Sequence, residues 1–267
     1  MISEKNPKLL QKELRKKILD LHFSANAGHI GCSLSCIDIL IATLVLQKKE
    51  DDIFILSKGH AASALYVCLN HLGEISNEQL KTFYKNGTAL PAHPAPQKFK
   101  SIPFGIGSLG HGFSLGAGVA KAKKISEETG FVFVVMSDGE TNEGTTWEAG
   151  HFARQHKLDN LLLFVDKNKL QGFGETKDVL GDTCKEESWT ALGFDVYTVD
   201  GHNIEEIINK MEIIKQSKND SPKIIIAETI KGKGVSFMEN KLDWHYLPMS
   251  AELYQRALKE ILEKYSL

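Results

Sequence analysis

The chain has 267 residues, 42% hydrophobic and 25% charged, enough to bury a substantial core in one large α/β domain or two small ones. A formal net charge of −2 leaves no electrostatic footprint for nucleic acid or an anionic membrane. The opening stretch MISEKNPKLLQKELRKKILDLHF mixes charges throughout and reads as neither signal peptide nor anchor. No segment reaches the roughly 20 apolar residues of a membrane span, so a cytoplasmic location is expected. Cys32, Cys36, Cys68 and Cys184 show no metal-ligand pairing and read as reduced, buried small side chains.

Leu10, Leu14, Ile18 and Leu21 recur at helical spacing and predict an amphipathic helix over 8–23. A second helix is expected over 35–47 (SCIDILIATLVLQ), then a short strand, IFIL, at 53–56 and a helix over 61–72. Residues 86–112, rich in Gly, Pro and His, form a loop long enough to suggest function. A helix over 113–127 follows, with Gly116, Ala117, Gly118 and Ala120 allowing close packing. From 131 strands and helices alternate: FVFVVM, a helix near 145–157, LLLFV at 161–165, FDVYTV, a helix over 203–216, KIIIAE, and a closing helix. Thr145 with Glu148 predicts a capping box for the helix near 145. Strands that are near-continuous apolar runs are parallel and covered on both faces. The expected fold class is therefore α/β, a doubly wound, mostly parallel sheet with helices on both faces, as a single domain over 1–267. Ligands of such sheets sit at the C-terminal ends of the strands.

That rule points to VVMSDGETNEGTTWEAG, residues 134–150. Asp138 ends one predicted strand and Asn168 lies just past the next. If those strands are neighbours, a carboxylate and an amide carbonyl share one crevice, hard-oxygen ligation suited to Mg²⁺ and a phosphate. Gly139 removes a side chain where a phosphate would approach. Asp-Gly read alone is equally a plain turn.

The longer run SDGETNEGTTWEAGHFARQHKLDNLLLFVDKNKLQ resembles the thiamine diphosphate motif of the transketolase family. Four further blocks resemble the same family in order: AGHIG (27–31), SKGHAASALY (57–66), IGSLGHG (106–112) and KGKGVSFMENKLDWH (231–245). The resemblance implies that Asp138, Asn168 and the carbonyl of Leu170 hold Mg²⁺ on the diphosphate. It implies that His60, Gly139, Lys231 and His245 contact the diphosphate, and that Gly107 and Leu109 meet the aminopyrimidine through backbone groups. His29, His93 and His245 would face the substrate's oxygens, and Glu143 would join an acidic relay between two cofactor sites. His22, His71, His151 and His156 read as turn or surface residues, and His202 as a turn support.

Whole transketolases carry a pyrimidine-binding domain after the one read here, and this chain shows no second α/β wind. The resemblance thus implies the N-terminal subunit of a split transketolase, which forms an α2β2 heterotetramer with a C-terminal, pyrimidine-binding subunit to act on sugar phosphates. Ser137, Ile106, Ser108, His111 and Cys32 depart from the family pattern, and Tyr246 stands where Gly commonly follows Trp-His. These departures bear on substrate more than on cofactor. Two other readings stay open: a non-catalytic scaffold subunit, or a related thiamine enzyme subunit, resembling deoxyxylulose phosphate synthase, that acts on a pathway-specific sugar or a 2-oxo acid such as pyruvate. A Mg²⁺-dependent phosphohydrolase would need aspartate-rich clusters that the chain lacks.

Overall fold

Five apolar runs pair side by side into one parallel sheet in the computed structural model of the chain, which describes residues 6–96, 98–217 and 219–266. The first half holds α1 (Pro7–Ala25), α2 (Ile30–Leu40), β1 (Ile53–Leu56), α3 (Ala62–His71) and the short α4 (Asn77–Leu80). After the long loop come α5 (His111–Ile125), β2 (Val132–Ser137), α6 (Gly144–Gln155), β3 (Leu161–Lys167), α7 (Thr176–Leu180) and α8 (Glu186–Leu192). The chain closes with β4 (Asp195–Asp200), α9 (Ile204–Gln216), β5 (Lys223–Glu228) and α10 (Ala251–Lys264). The strand order is β1-β2-β3-β5-β4, with every neighbouring pair parallel.

Alternation along each strand feeds two cores. In β2, Phe133 and Val135 join the core under α1, α2, α3, α9 and α10, while Val132, Val134 and Met136 join the core under α5, α6 and α8. Each fully buried side chain of this size contributes about 1.5–3 kcal/mol relative to exposure. The expected doubly wound α/β class is what the chain adopts.

Local chemistry starts and stops the helices. The Asn6 side chain accepts from the Lys8 N–H, Pro7 opens α1, and Asn26 closes it in the left-handed region at φ 49°. Asn203 and Ser250 cap α9 and α10 in the same way. The capping box predicted at Thr145 and Glu148 does not form. Glu143 holds the N-cap position of α6, and the Thr145 hydroxyl is buried without a partner. The reciprocal pair is Ser137 with Glu140, one turn earlier, around a tight turn at Asp138–Asn142. The second helix begins at Ile30 rather than 35 and ends in a π-helical stretch, Ile41–Gln47. Ile30–Gln47 has a mean hydropathy of 1.9 over 18 residues, so a stretch close to membrane-spanning length does exist. It is 83% buried within the protein, and its apolar character serves the core. The short helices α4, α7 and α8 went unpredicted because four to seven residues show no full helical period.

Two buried ion pairs hold this frame. Arg15 grips Asp38 with two bonds of 2.7 and 2.5 Å, tying α1 to α2. His202 does more than support a turn: Nδ1 donates to Asp38 (2.9 Å), and Nε2 accepts the Ile230 N–H (2.8 Å). The second pair joins Lys58, just past β1, to Asp166 on β3, and both side chains are fully buried. Asp166 also accepts from Ser35 (2.6 Å), Asn168 (3.1 Å) and Thr229. The pair therefore spans the end of β2 and joins α2, β3 and the exit of β5.

Replacing Lys58 by Met strands the Asp166 charge in a dry interior and is expected to lower the unfolding free energy by about 3–5 kcal/mol. Urea denaturation measures this, and a loss under about 1 kcal/mol would show the pair to be dispensable. His22 generates a second expectation. It is buried, not on the surface, with its ring nitrogens beside Ser63 (2.8 Å) and the Ala27 carbonyl (3.3 Å), and burial lowers its pKa from 6.5 to about 4. Its folded pKa lies below its unfolded one, so the stability it supports is complete above about 6.5 and declines as pH falls toward 4. The expected slope in that window is about 1.4 kcal/mol per pH unit, and His22→Gln should remove it.

Candidate functional site

In the sheet, Ser137 on β2 lies in register with Asp166 on β3, so Asp138 and Asn168 leave the ends of adjacent parallel strands. The neighbour relation that the site requires is present. Beyond these strand ends opens a cleft of about 540 Å³. Asp138 is only 2% exposed. Its Oδ1 accepts the Gly139 N–H (2.8 Å), and its Oδ2 accepts the Lys169 N–H (2.7 Å) and the Thr176 hydroxyl (3.2 Å). Burial and the nearby Asp166 charge raise its pKa to about 6, against the pull of the backbone N–H donors and the Lys58 charge. Asn168 is oriented by donating to Asp166, while its Oδ1 accepts the Leu170 N–H (3.1 Å). The Leu170 carbonyl accepts from Lys231 Nζ (3.1 Å).

Two amide nitrogens in the cleft lining, Asn142 Nδ2 and Gln171 Nε2, are buried without a partner. Buried orphan donors are rare in native proteins, and a ligand rich in acceptor oxygens would satisfy both. Asp138, Asn168 and the Leu170 carbonyl together offer an oxygen donor set of the kind Mg²⁺ takes. Among the described residues, no cluster of three or more His, Cys, Asp or Glu side chains offers a site for a softer metal. The residues present thus fit a magnesium diphosphate.

Four histidines from four separate blocks meet in the same cleft. The His29 ring centroid lies 5.8 Å from that of His60, 6.2 Å from His93 and 5.0 Å from His245. His29 reaches this position through a left-handed backbone at φ 66°, and its N–H donates to the His245 carbonyl (3.0 Å). A non-glycine residue in that region marks a position held by its surroundings. Burial lowers the His29 pKa to about 4 and also lowers that of His93, so both rings are neutral at pH 7. Lys231 Nζ donates to His245 Nδ1 (2.8 Å). An ammonium has only donors, so His245 carries its own proton on Nε2.

Cys32 is more than the small buried hydrophobe expected of it. It lines the cleft with Sγ 3.6 Å from His245 Nδ1. Burial alone would raise its thiol pKa, but His60 and Lys231 outweigh burial and hold it well below the usual range. Cys36, one helical turn on, is pushed up to about 12, because burial, with Asp166 and Cys32 nearby, outweighs the pull of Lys58.

His29, His60, His93, Gly107, Leu109, Asp138, Gly139, Glu143, Asn168, Leu170 and His245 all line the cleft, with Glu143 exposed at its rim. Lys231 does not. It is fully buried behind the wall, where its ammonium holds His245 and the Leu170 carbonyl. Glu140 is the organiser that sequence reasoning missed: it accepts from the Ser57 hydroxyl, the Gly110 N–H (2.9 Å) and the Ser137 N–H (2.8 Å). One carboxylate thereby joins SKGH, GSLGHG and the tip of β2. Lys58 and Asp166 were likewise overlooked, although both stand inside quoted blocks. A charged residue flanked by glycine or by apolar strand residues was the available signal.

Known proteins resemble this chain in sequence and in fold. The family described as "Transketolase, thiamine diphosphate binding domain" matches residues 8–263. One subunit of the apulose-4-phosphate transketolase of Phocaeicola vulgatus is 37% identical over 265 residues, covering 96% of this chain and 94% of that protein. The 6-deoxy-6-sulfo-D-fructose transketolase subunit SqwG of a Clostridium species is 36% identical, covering 93% of each. The crystal structure of Campylobacter jejuni transketolase superposes with a TM-score of 0.87 at 29% identity, covering 96% of this chain but 42% of that one. The chain therefore spans nearly the whole length of relatives named as subunits, and about two fifths of a solved transketolase. With strand tips, oxygen donors and histidine cluster arranged as described, the chain belongs to the transketolase family of transferases, of which it carries the thiamine diphosphate-binding domain.

Proposed function

We propose that this chain is the diphosphate-binding subunit of a split transketolase, which with a separate pyrimidine-binding subunit transfers a two-carbon ketol unit from a ketose phosphate to an aldose phosphate. The observation that carries this reading is one cleft that combines oxygen donors with a histidine cluster and carries exposed apolar side chains on its lining. Oxygen donors, orphan amides and four histidines line the same cleft, and its exposed lining carries large apolar side chains. Phe173 is 87% exposed and Leu180 64%, both on the lining, with Tyr246 beside them and Leu247 next in sequence. Large apolar side chains grouped at the mouth of a polar site are a surface awaiting a partner. Relatives of matching length are named as subunits, which supports a second chain. An α2β2 assembly would place each cleft between unlike chains.

Asp138, Asn168 and the Leu170 carbonyl would hold Mg²⁺, while His60, the Gly139 backbone, His245 and the orphan amides of Asn142 and Gln171 would meet the diphosphate oxygens. Lys231 is better read as the support of His245 and Leu170 than as a direct contact. Backbone groups of Gly107 and Leu109 would orient the aminopyrimidine. Thiamine diphosphate, when bound, supplies the carbanion-stabilising chemistry that amino-acid side chains lack. Neutral His29 and His93 can accept and return protons on sugar hydroxyls, and His245 can donate from Nε2. Glu143, exposed on the cleft lining, would join an acidic relay across the boundary between subunits. Relatives named for apulose 4-phosphate and 6-deoxy-6-sulfofructose favour a pathway-specific sugar as the substrate of this chain too.

Ketol transfer should be absent with the chain alone and appear when the pyrimidine-binding chain, thiamine diphosphate and Mg²⁺ are added. Full turnover by the isolated chain would refute the split site, and a preference for pyruvate as donor would favour the deoxyxylulose phosphate synthase-like reading. Asp138→Ala should abolish Mg²⁺-dependent cofactor binding in a calorimeter, and unchanged binding removes Asp138 from the site. Leu180→Glu, which buries a charge in an apolar interface, should weaken association with the partner at least tenfold by sedimentation. Equal association would move the interface elsewhere.

A further inference from the structure

The loop after β3 carries two of the groups just assigned to the magnesium diphosphate, the Leu170 carbonyl and the Gln171 amide. Its shape is set internally. The Gln171 N–H donates to the Gly174 carbonyl (2.8 Å), the Thr176 N–H donates to that of Lys169 (2.9 Å), and Leu170 pairs with Glu175 in an isolated β-bridge. The Lys169 N–H anchors the loop's first residue on Asp138. Toward the tip, two residues of one distant segment tie the loop to the body of the protein. Lys231 donates to the carbonyl of Leu170 (3.1 Å), and the Tyr246 hydroxyl donates to that of Gly172 (2.5 Å). Phe173, next in line, is 87% exposed, so its side chain does not pack the tip down.

Two glycines are fitted to Tyr246. A Cβ on Gly172 would lie 2.6 Å from the phenol oxygen and 3.4 Å from His245 Nε2. On the other side, a Cβ on Gly28 would lie 2.5 Å from the Tyr246 carbonyl oxygen. The two approaches to Tyr246 are closer than a carbon atom tolerates. The tyrosine is thus seated between Gly28, where a side chain would meet its backbone, and Gly172, where one would displace its phenol, with its ring 4.8 Å from that of His245. Gln171 lays its side chain over Gly139, 3.2 Å from where a Cβ would stand, and keeps its Nε2 unpartnered in the cleft wall.

We propose that Tyr246 is a positioning residue for the cofactor: its hydroxyl holds the Leu170–Phe173 loop against the cleft, so that the Leu170 carbonyl and the Gln171 amide stand ready for the magnesium diphosphate. This rests on the cofactor assignment above. Without the bond the loop moves about its base and its internal turn opens more often, exposing the amides that the turn holds, and binding must reorder it.

The test uses the full chain with its partner and Tyr246→Phe, which removes one hydroxyl and keeps the ring. Deuterium uptake in the cofactor-free chain should quicken across residues 170–176 and stay unchanged elsewhere. Trypsin should cut faster after Lys169 and Lys177, which flank the loop and are exposed. The dissociation constant for thiamine diphosphate with Mg²⁺ should rise about three- to tenfold, the worth of one hydrogen bond. The loss should appear in the KM for cofactor, with kcat at saturating cofactor falling less than about twofold. Gly172→Ala, which pushes the phenol away, should give the same loop exchange and the same loss of affinity. Unchanged loop exchange in Tyr246→Phe overturns the proposal, as does a freed loop with unchanged affinity. A wild-type chain that binds no thiamine diphosphate beside its partner overturns this proposal and the cofactor assignment together. A wild type that binds, with Tyr246→Phe identical to it, overturns this proposal alone.

Discussion

The Lys58–Asp166 pair is the constraint on which the site is built. An ammonium and a carboxylate removed from water are tolerable only when each is matched, and here the match reaches across the end of β2. Asp166 accepts from Ser35 on α2, Asn168 beyond β3 and Thr229 beyond β5, while Lys58 also donates to the Cys32 carbonyl (3.3 Å). Several of these partners are cleft residues or lead directly into them. Lys58 leads into His60, Cys32 faces His245, and Asn168 is oriented by the same carboxylate. Satisfying one buried charge pair thereby sets the mutual positions of three sequence blocks that lie far apart along the chain.

A second carboxylate performs the same service on the other wall. Glu140 collects donors from Ser57, Gly110 and Ser137, drawing the glycine-rich loop before α5 onto the tip of β2. Asp138, two residues earlier, is left with backbone N–H donors and one hydroxyl. The two acids differ in environment more than in chemistry. One is matched within the protein and structural; the other keeps a raised pKa and is available to a cation.

The histidine cluster follows a similar logic of placement. Four imidazoles this close together would repel if all were protonated, and burial keeps His29 neutral. Lys231 supplies the nearby positive charge from behind the wall, in a position that orients His245 rather than competing for a ligand. The cleft thus combines a histidine cluster with oxygen donors and a buried ammonium behind its wall, and its lining includes exposed apolar side chains.

Much of this was readable in one dimension. Apolar runs announced parallel strands, and Asp138 and Asn168 at their ends announced a crevice, because a strand's period and its terminus are local properties. Five ordered blocks announced the family. What sequence could not express is direction and partnership. Lys231 stands in a glycine-rich block like any phosphate-contacting lysine, yet its stem turns inward, because His245 and the Leu170 carbonyl lie there. Thr145 and Glu148 have capping-box spacing, but the turn before α6 places Glu143 at the N-cap. The roles of Lys58, Asp166, Glu140 and Cys32 depend on residues dozens to more than a hundred positions away. The amino-acid order by itself determined the strands and the chemical inventory of the cleft, since hydrophobic period and residue type are intrinsic to the chain, but not that β4 would be a half-exposed edge strand. Only the tertiary structure decided which charges neutralise one another and which stay open to a ligand, because that depends on distances that exist only once the sheet has closed its layers.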